Sequence, residues 1–72
     1  MIQLEDFLNM SMDESYRVNV FYLNTGAEIT HQLSVGDTIE FLQENEDLLD
    51  LLLHDVISWD INEEKEFNIN IE

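Results

Sequence analysis

The sequence predicts a small α+β domain, a ββαββ succession in which an antiparallel sheet is packed by one helix, intact or broken in two, after a short N-terminal helix. Three observations predict it. Residues 16–35 and 55–72 each hold two segments of alternating apolar and polar residues around a turn. Between them, over 37–54, apolar residues recur at helical spacing. Finally, Leu, Ile, Val and Phe make up 25 of the 72 residues, about 35%, well above the ~20% below which a charged chain reads as disordered. The chain therefore buries a core despite a formal net charge of −15. We read residues 1–72 as a single acidic domain, near the lower end of what folds on one core without disulfides or metals.

The elements follow in order. From Met1 to Met12 the chain reads as a short amphipathic helix or turn, with Leu4, Phe7 and Leu8 on one face; Asp13, Glu14 and Ser15 then break the pattern. Tyr16 to Asn24 is a strand, with Tyr16, Val18, Val20 and Tyr22 on one side and Arg17, Asn19, Phe21 and Leu23 on the other. Asn24-Thr25-Gly26 makes the turn, because Asn and Gly both accept positive φ. A second strand, Glu28 to Val35, would place Ile29, His31, Leu33 and Val35 inward and Glu28, Thr30, Gln32 and Ser34 outward. Asp37 is positioned to cap the following helix, with Glu40 at capping-box spacing. Ile39, Leu42, Leu49 and Leu53 would face the core with Phe41 and Leu48 flanking; Asn45 divides the segment into Asp37–Glu44 and Glu46–His54 if the helix is broken. Asp55 to Ile61 is a third strand with Ile57, Trp59 and Ile61 on one side. Asn62-Glu63-Glu64-Lys65 turns the chain, and Phe67, Ile69 and Ile71 form the apolar side of a fourth.

Charge and composition exclude several functions. Seventeen Asp and Glu stand against two Lys and Arg, so direct capture of nucleic acid, which needs a basic footprint, is out. An anionic membrane surface is out for the same reason. The longest apolar run is Leu51-Leu52-Leu53, far short of the ~20 residues that span a bilayer. No basic n-region marks a signal peptide, so a cytoplasmic location is expected. Salt should raise stability by screening the self-repulsion of the acids.

Chemistry is sparse. No Cys is present, which removes disulfides, thiolate metal sites and thiol nucleophiles. The two histidines form no His-Glu-x-x-His motif, and no Ser occupies a Gly-x-Ser-x-Gly elbow. His31 reads as a partly buried core residue, and His54 as a structural residue at the negative end of a helix. Asp47, Asp50 and Asp55 do not match the ligand spacing of a calcium loop, and both glycines lie elsewhere. Paired carboxylates could do acid–base work only in a cleft that shifts a pKa, for which 72 residues leave little room. No enzyme, cofactor or metal is expected.

The acidity itself is the remaining signal. Glu40, Glu44 and Asp47 fall at i, i+4 and i+7, with Glu46 and Asp50 beside them and Asp55 following; Asp60, Glu63, Glu64 and Glu66 continue on the second hairpin. Like charges at i, i+4 cost a helix about 0.2–0.5 kcal/mol per pair. An ordinary solvated helix mixes in Lys or Arg to offset this, yet none occurs between Arg17 and Lys65. Solubility alone asks for a net charge of only about 2–8. These ten carboxylates are therefore the candidate partner-binding residues, and the partner is a basic protein. A rigid carboxylate array suits the Lys- and Arg-lined groove of a nucleic-acid-binding protein and is steered into it; occupying the groove is enough to inhibit.

The run Tyr16-Arg17-Val18-Asn19-Val20, the turn Asn24-Thr25-Gly26 and the stretch Leu33-Ser34-Val35-Gly36-Asp37 lay out a hairpin followed by Ser-x-x-Asp opening an acidic helix. In this layout and in its composition the chain resembles small phage-encoded inhibitors, the anti-CRISPR proteins and the phage inhibitors of uracil-DNA glycosylase. The resemblance implies a phage or mobile-element origin and DNA mimicry, with the DNA or PAM channel of a CRISPR effector as the target. It assigns no residue roles. The alternative is an acidic adaptor that docks on a basic host protein (RNA polymerase, a DNA-repair glycosylase or a toxin) without imitating DNA. A homodimer through outward apolar residues, Phe21, Leu23 and Val56, is a further expectation.

Overall fold

The structure, a computed structural model, describes residues 2–10 and 15–72. It contains a helix α1 (Leu4–Asn9), strands β1 (Arg17–Tyr22) and β2 (Ala27–Ser34), a helix α2 (Val35–Glu44), a 3-10 helix (Leu49–Leu53), and strands β3 (Val56–Ile61) and β4 (Glu66–Ile71). The α+β class and the ββαββ order are as the sequence predicts. The parts of that reading that fall on Met1, Ser11, Met12, Asp13 and Glu14 lie outside the described residues. Among the described residues no helix is long and apolar enough to cross a membrane.

The sheet is mixed, not purely antiparallel. Its order is β2-β1-β4-β3, with β1 and β4 paired in parallel at the centre and an antiparallel hairpin partner on each side. The reason is the crossover: α2 and the 3-10 helix carry the chain from one edge of the sheet to the other, so β3 runs parallel to β2. Each hairpin then brings its inner strand back, which leaves β1 and β4 side by side and parallel. The central strands hold four fully buried apolar residues, Val18 and Val20 on β1 and Ile69 and Ile71 on β4. Val20 lies opposite Ile69, and Val18 opposite Phe67.

One face of the sheet carries the core. Leu4, Phe7 and Leu8 of α1 are buried on it, as their spacing predicts, together with Leu42, Leu51 and Leu52. An aromatic cluster fills the end nearest α1: the Phe7 ring centre lies 5.5 Å from Trp59 and 6.4 Å from Phe67, and Tyr16 lies 5.1 Å from Phe67.

Helix α2 starts earlier than predicted and its cap differs. Ser34, not Asp37, is the N-cap; its Oγ accepts from the Asp37 backbone N–H at 3.1 Å. Asp37 instead places a carboxylate in the first turn, where the helix dipole favours it. Replacing Ser34 with Ala should therefore cost about 1 kcal/mol, read as a lower urea midpoint at unchanged slope. The helix ends at Glu44, and the Asn45 side chain donates to the Phe41 carbonyl at 2.7 Å. The broken alternative thus holds, but the second piece is a five-residue 3-10 helix, not an α-helix from Glu46 to His54. With three residues per turn the inward positions shift: Leu51 and Leu52 are buried, whereas Leu49 and Leu53 are exposed.

Strand β2 departs most from simple alternation. It carries extra residues against β1 in two places, between the pairs Val18–Leu33 and Val20–Thr30 and between Val20–Thr30 and Phe21–Glu28. Gln32 has φ of 54°, and its N–H donates to Asn19 Oδ1 at 2.7 Å. Each extra residue reverses the inside–outside pattern beyond it. Thr30 is consequently buried, its Oγ1 accepting from the Val20 N–H at 3.2 Å. His31 is exposed on the surface, with Nδ1 3.2 Å from Glu28 Oε2, and is not a core residue. A bulge in β3 similarly turns Val56 inward, so it belongs to the core and not to an outer dimer seam.

Candidate functional site

The ten carboxylates fall into two groups along the chain, one from α2 to the start of β3 and one on the β3–β4 hairpin. Glu40 and Glu44 stand on α2, Glu46 and Asp47 in the turn after it, Asp50 on the 3-10 helix, and Asp55 just before β3. All six are exposed. Because α2 ends at Glu44, Asp47 does not continue a single helical stripe with Glu40 and Glu44. The helical layer presents these acids as a path over two short helices and the turn between them.

The second group belongs to the β3–β4 hairpin. Glu63 and Glu64 occupy its turn and are exposed. Asn62 builds that turn: its Oδ1 accepts from the backbone N–H of Glu64 at 2.9 Å and of Glu66 at 3.0 Å. Lys65, with φ of 62°, closes it.

Asp60 and Glu66 are tied into the open face of the sheet. Asp60 is exposed, but its Oδ1 accepts from Asn68 Nδ2 at 2.9 Å, and Asn68 Oδ1 accepts from Asn19 Nδ2 at 3.0 Å. Asn70 Nδ2 donates to Ser58 Oγ at 3.0 Å. Glu66 is only 9% exposed. Its Oε1 accepts from Gln32 Nε2 and its Oε2 from Asn62 Nδ2, each at 2.8 Å. A row of amides thus crosses the open sheet face and fixes two of the predicted partner-binding carboxylates in place. The donor–acceptor match explains why the asparagines alternate with Phe67, Ile69 and Ile71: one face is core, the other a polar ladder.

The hydrogen bonds from Asn62 and then Gln32 hold the Glu66 carboxyl below the usual carboxylate range, against the opposing effect of its partial burial. A carboxyl whose folded pKa is lowered stabilises the fold above its unfolded pKa, and that contribution is lost as pH falls through the folded value. Glu66→Gln cannot accept at both oxygens, since its amide would meet one of the two donating NH2 groups. The variant should have a lower urea midpoint than wild type at pH 7, and the two midpoints should converge as pH drops below the carboxylate range. A gap of constant size through that range contradicts this assignment.

The two histidines lie apart from one another. His54 follows the 3-10 helix, its backbone N–H donating to the Leu51 carbonyl and its ring 5.5 Å from Tyr22. Nδ1 of His54 is buried without a hydrogen-bond partner among the described residues. His31 lies on β2, the opposite edge strand from β3, which His54 precedes. Among the described residues no three His, Asp or Glu side chains converge as a metal site.

Sequence reasoning missed the apolar rim. Trp59 is 51% exposed, Ile61 46% and Ile57 40%, all on the outermost strand β3. Alternation had placed them on one side of a strand, but edge position cannot be read from a strand's own residues.

The molecule measures 29 × 22 × 21 Å between Cα extremes. Fifteen of the chain's seventeen carboxylates belong to the described residues. Duplex DNA carries one charge per ~1.7 Å, or about 17 phosphates over the same distance. The chain matches no protein-family model, no curated protein and no solved structure.

Proposed function

We propose that this protein is a stoichiometric inhibitor that occupies the basic nucleic-acid channel of a host protein by imitating the charge of duplex DNA. The observation that carries the reading is the charge density: fifteen carboxylates on the described residues of a body 29 Å long come close to the about 17 phosphates of the same length of duplex. Lys and Arg side chains arranged for phosphates can pair with these carboxylates through charge-assisted hydrogen bonds. No bond need be made or broken, and no cofactor takes part. On the resemblance to phage inhibitors, the target is a CRISPR effector, whose PAM-reading and DNA-channel cations are the groups to be occupied.

Exposure of Glu40, Glu44, Glu46, Asp47, Asp50, Asp55, Glu63 and Glu64 supports their role as contacts. Asp60 and Glu66, held by Asn68, Asn62 and Gln32, act instead by shaping the sheet face and adding to the field. The test is inhibition of DNA binding by purified CRISPR effectors, measured with the protein in stoichiometric excess over the channel. Inhibition that duplex DNA relieves supports mimicry. Binding that duplex does not relieve identifies the acidic-adaptor mode instead.

A further inference from the structure

From the β3 edge we infer that the protein has a second docking surface, which takes an extended, basic peptide segment as a fifth strand beside β3. Four observations carry it. First, β3 ends the sheet on its side, so beyond its opening residues its outer backbone groups have no strand partner among the described residues. Second, this edge already accepts a strand where one is offered. Gln3 bridges Asp55 in antiparallel fashion, the Val56 N–H donating to the Ile2 carbonyl at 2.8 Å and the Leu4 N–H to the His54 carbonyl at 2.9 Å. Among the described residues that cover stops at the bulge by Ile57. Third, Trp59 and Ile61 line the uncovered part, and Trp59 is braced from behind by Phe7 and by Phe67, whose ring centre is 5.9 Å away. A half-exposed indole on a rigid aromatic base is the side-chain type that anchors protein contacts.

The fourth observation decides the occupant. Asp55 precedes this strand, Asp60 lies near its end, and Glu63 and Glu64 follow in the turn. A second copy paired there would set these carboxylates against one another, with −15 on each partner. A segment alternating Lys or Arg with β-branched residues answers both features: its backbone extends the sheet, its apolar side chains cover Trp59 and Ile61, and its cations meet the carboxylates. The opposite edge is poorly suited, because β2 is bulged twice and turns to positive φ at Gln32, devices that discourage strand addition. This surface shares Asp55, Glu63 and Glu64 with the acids proposed to imitate DNA, but its backbone edge and Trp59 are its own, so it stands or falls without DNA mimicry.

The probe is a seven-residue acetylated and amidated peptide of alternating Lys and Val, titrated into the full chain at low salt. Trp59 is the only tryptophan, so its emission reports the site directly. The expected result is saturable binding with a blue shift of that emission, and slowed amide exchange confined to 57–61. Methylating alternate backbone nitrogens of the peptide, which leaves its charge intact, should weaken binding at least about tenfold. Trp59→Ser, followed by calorimetry, should do the same. The methylated peptide tests the wild-type protein and so does not depend on the variant folding. Three results overturn the inference: no binding at millimolar peptide, binding indifferent to backbone methylation or silent at Trp59, or a dimer that protects 57–61 without peptide.

Discussion

Reversing Glu40, Glu44, Asp47 and Asp50 to lysine together should abolish binding to the basic target while leaving the far-ultraviolet circular dichroism unchanged. All four side chains are exposed on the helical layer, so their replacement removes no core contact. The pair Glu40–Glu44 becomes a like-charged Lys pair, which leaves its i, i+4 repulsion comparable. Each charge-assisted contact contributes about 1.5–3 kcal/mol, so losing four amounts to at least about 6 kcal/mol, or ~10⁴-fold in affinity. Net charge moves by eight, from −15 to −7, and the repulsion of four lysines from a cationic channel adds to the loss. Affinity within tenfold of wild type would show that the helical-layer acids serve solubility alone.

The second large effect lies in the core. Ile69 is fully buried on β4, with Val20 opposite it on β1 and Trp59 opposite it on β3. Ile69→Ala should cost about 2–5 kcal/mol, and Ile69→Val about 0.5–1.5 kcal/mol. A domain of 72 residues has roughly 4–11 kcal/mol to lose, so the alanine variant sits close to unfolding while the valine variant stays folded. Urea denaturation followed by circular dichroism measures both. If the alanine variant loses less than ~1 kcal/mol, β4 is not the centre of the core.

Local patterns made much of this fold legible. The i, i+3, i+4 spacing of Leu4, Phe7 and Leu8 found α1 and its buried face. Alternation placed Val18 and Val20 on one side of β1, and Phe67, Ile69 and Ile71 on one side of β4. Gly26, at φ of 70°, sits in the turn that Asn24-Thr25-Gly26 predicts. What remained hidden depends on partners distant in sequence. Nothing within either hairpin says that β1 will meet β4, or that they will lie parallel. The extra residues in β2 exist only relative to β1, and they decide that Thr30 goes in and His31 stays out.

The candidate site divides along the same line. Exposed acids on helices and turns are visible from composition and spacing. The cross-strand amides that fix Asp60 and Glu66 are not, because Asn68 and Gln32 reach them only after the strands pair. Asparagine at 19, 62, 68 and 70 was a signal in plain view: four amides at strand positions or a tight turn, where Asn is ordinarily depleted from strands.

One competition measurement tests the central proposal, that the acidic surface takes the place of DNA. The protein is immobilised, loaded with a purified effector whose DNA binding it inhibits, and washed with excess duplex DNA and, separately, with rising salt. Mimicry predicts that duplex releases the effector and that affinity falls steeply between ~50 and 200 mM salt. A complex that survives both duplex and salt contradicts it.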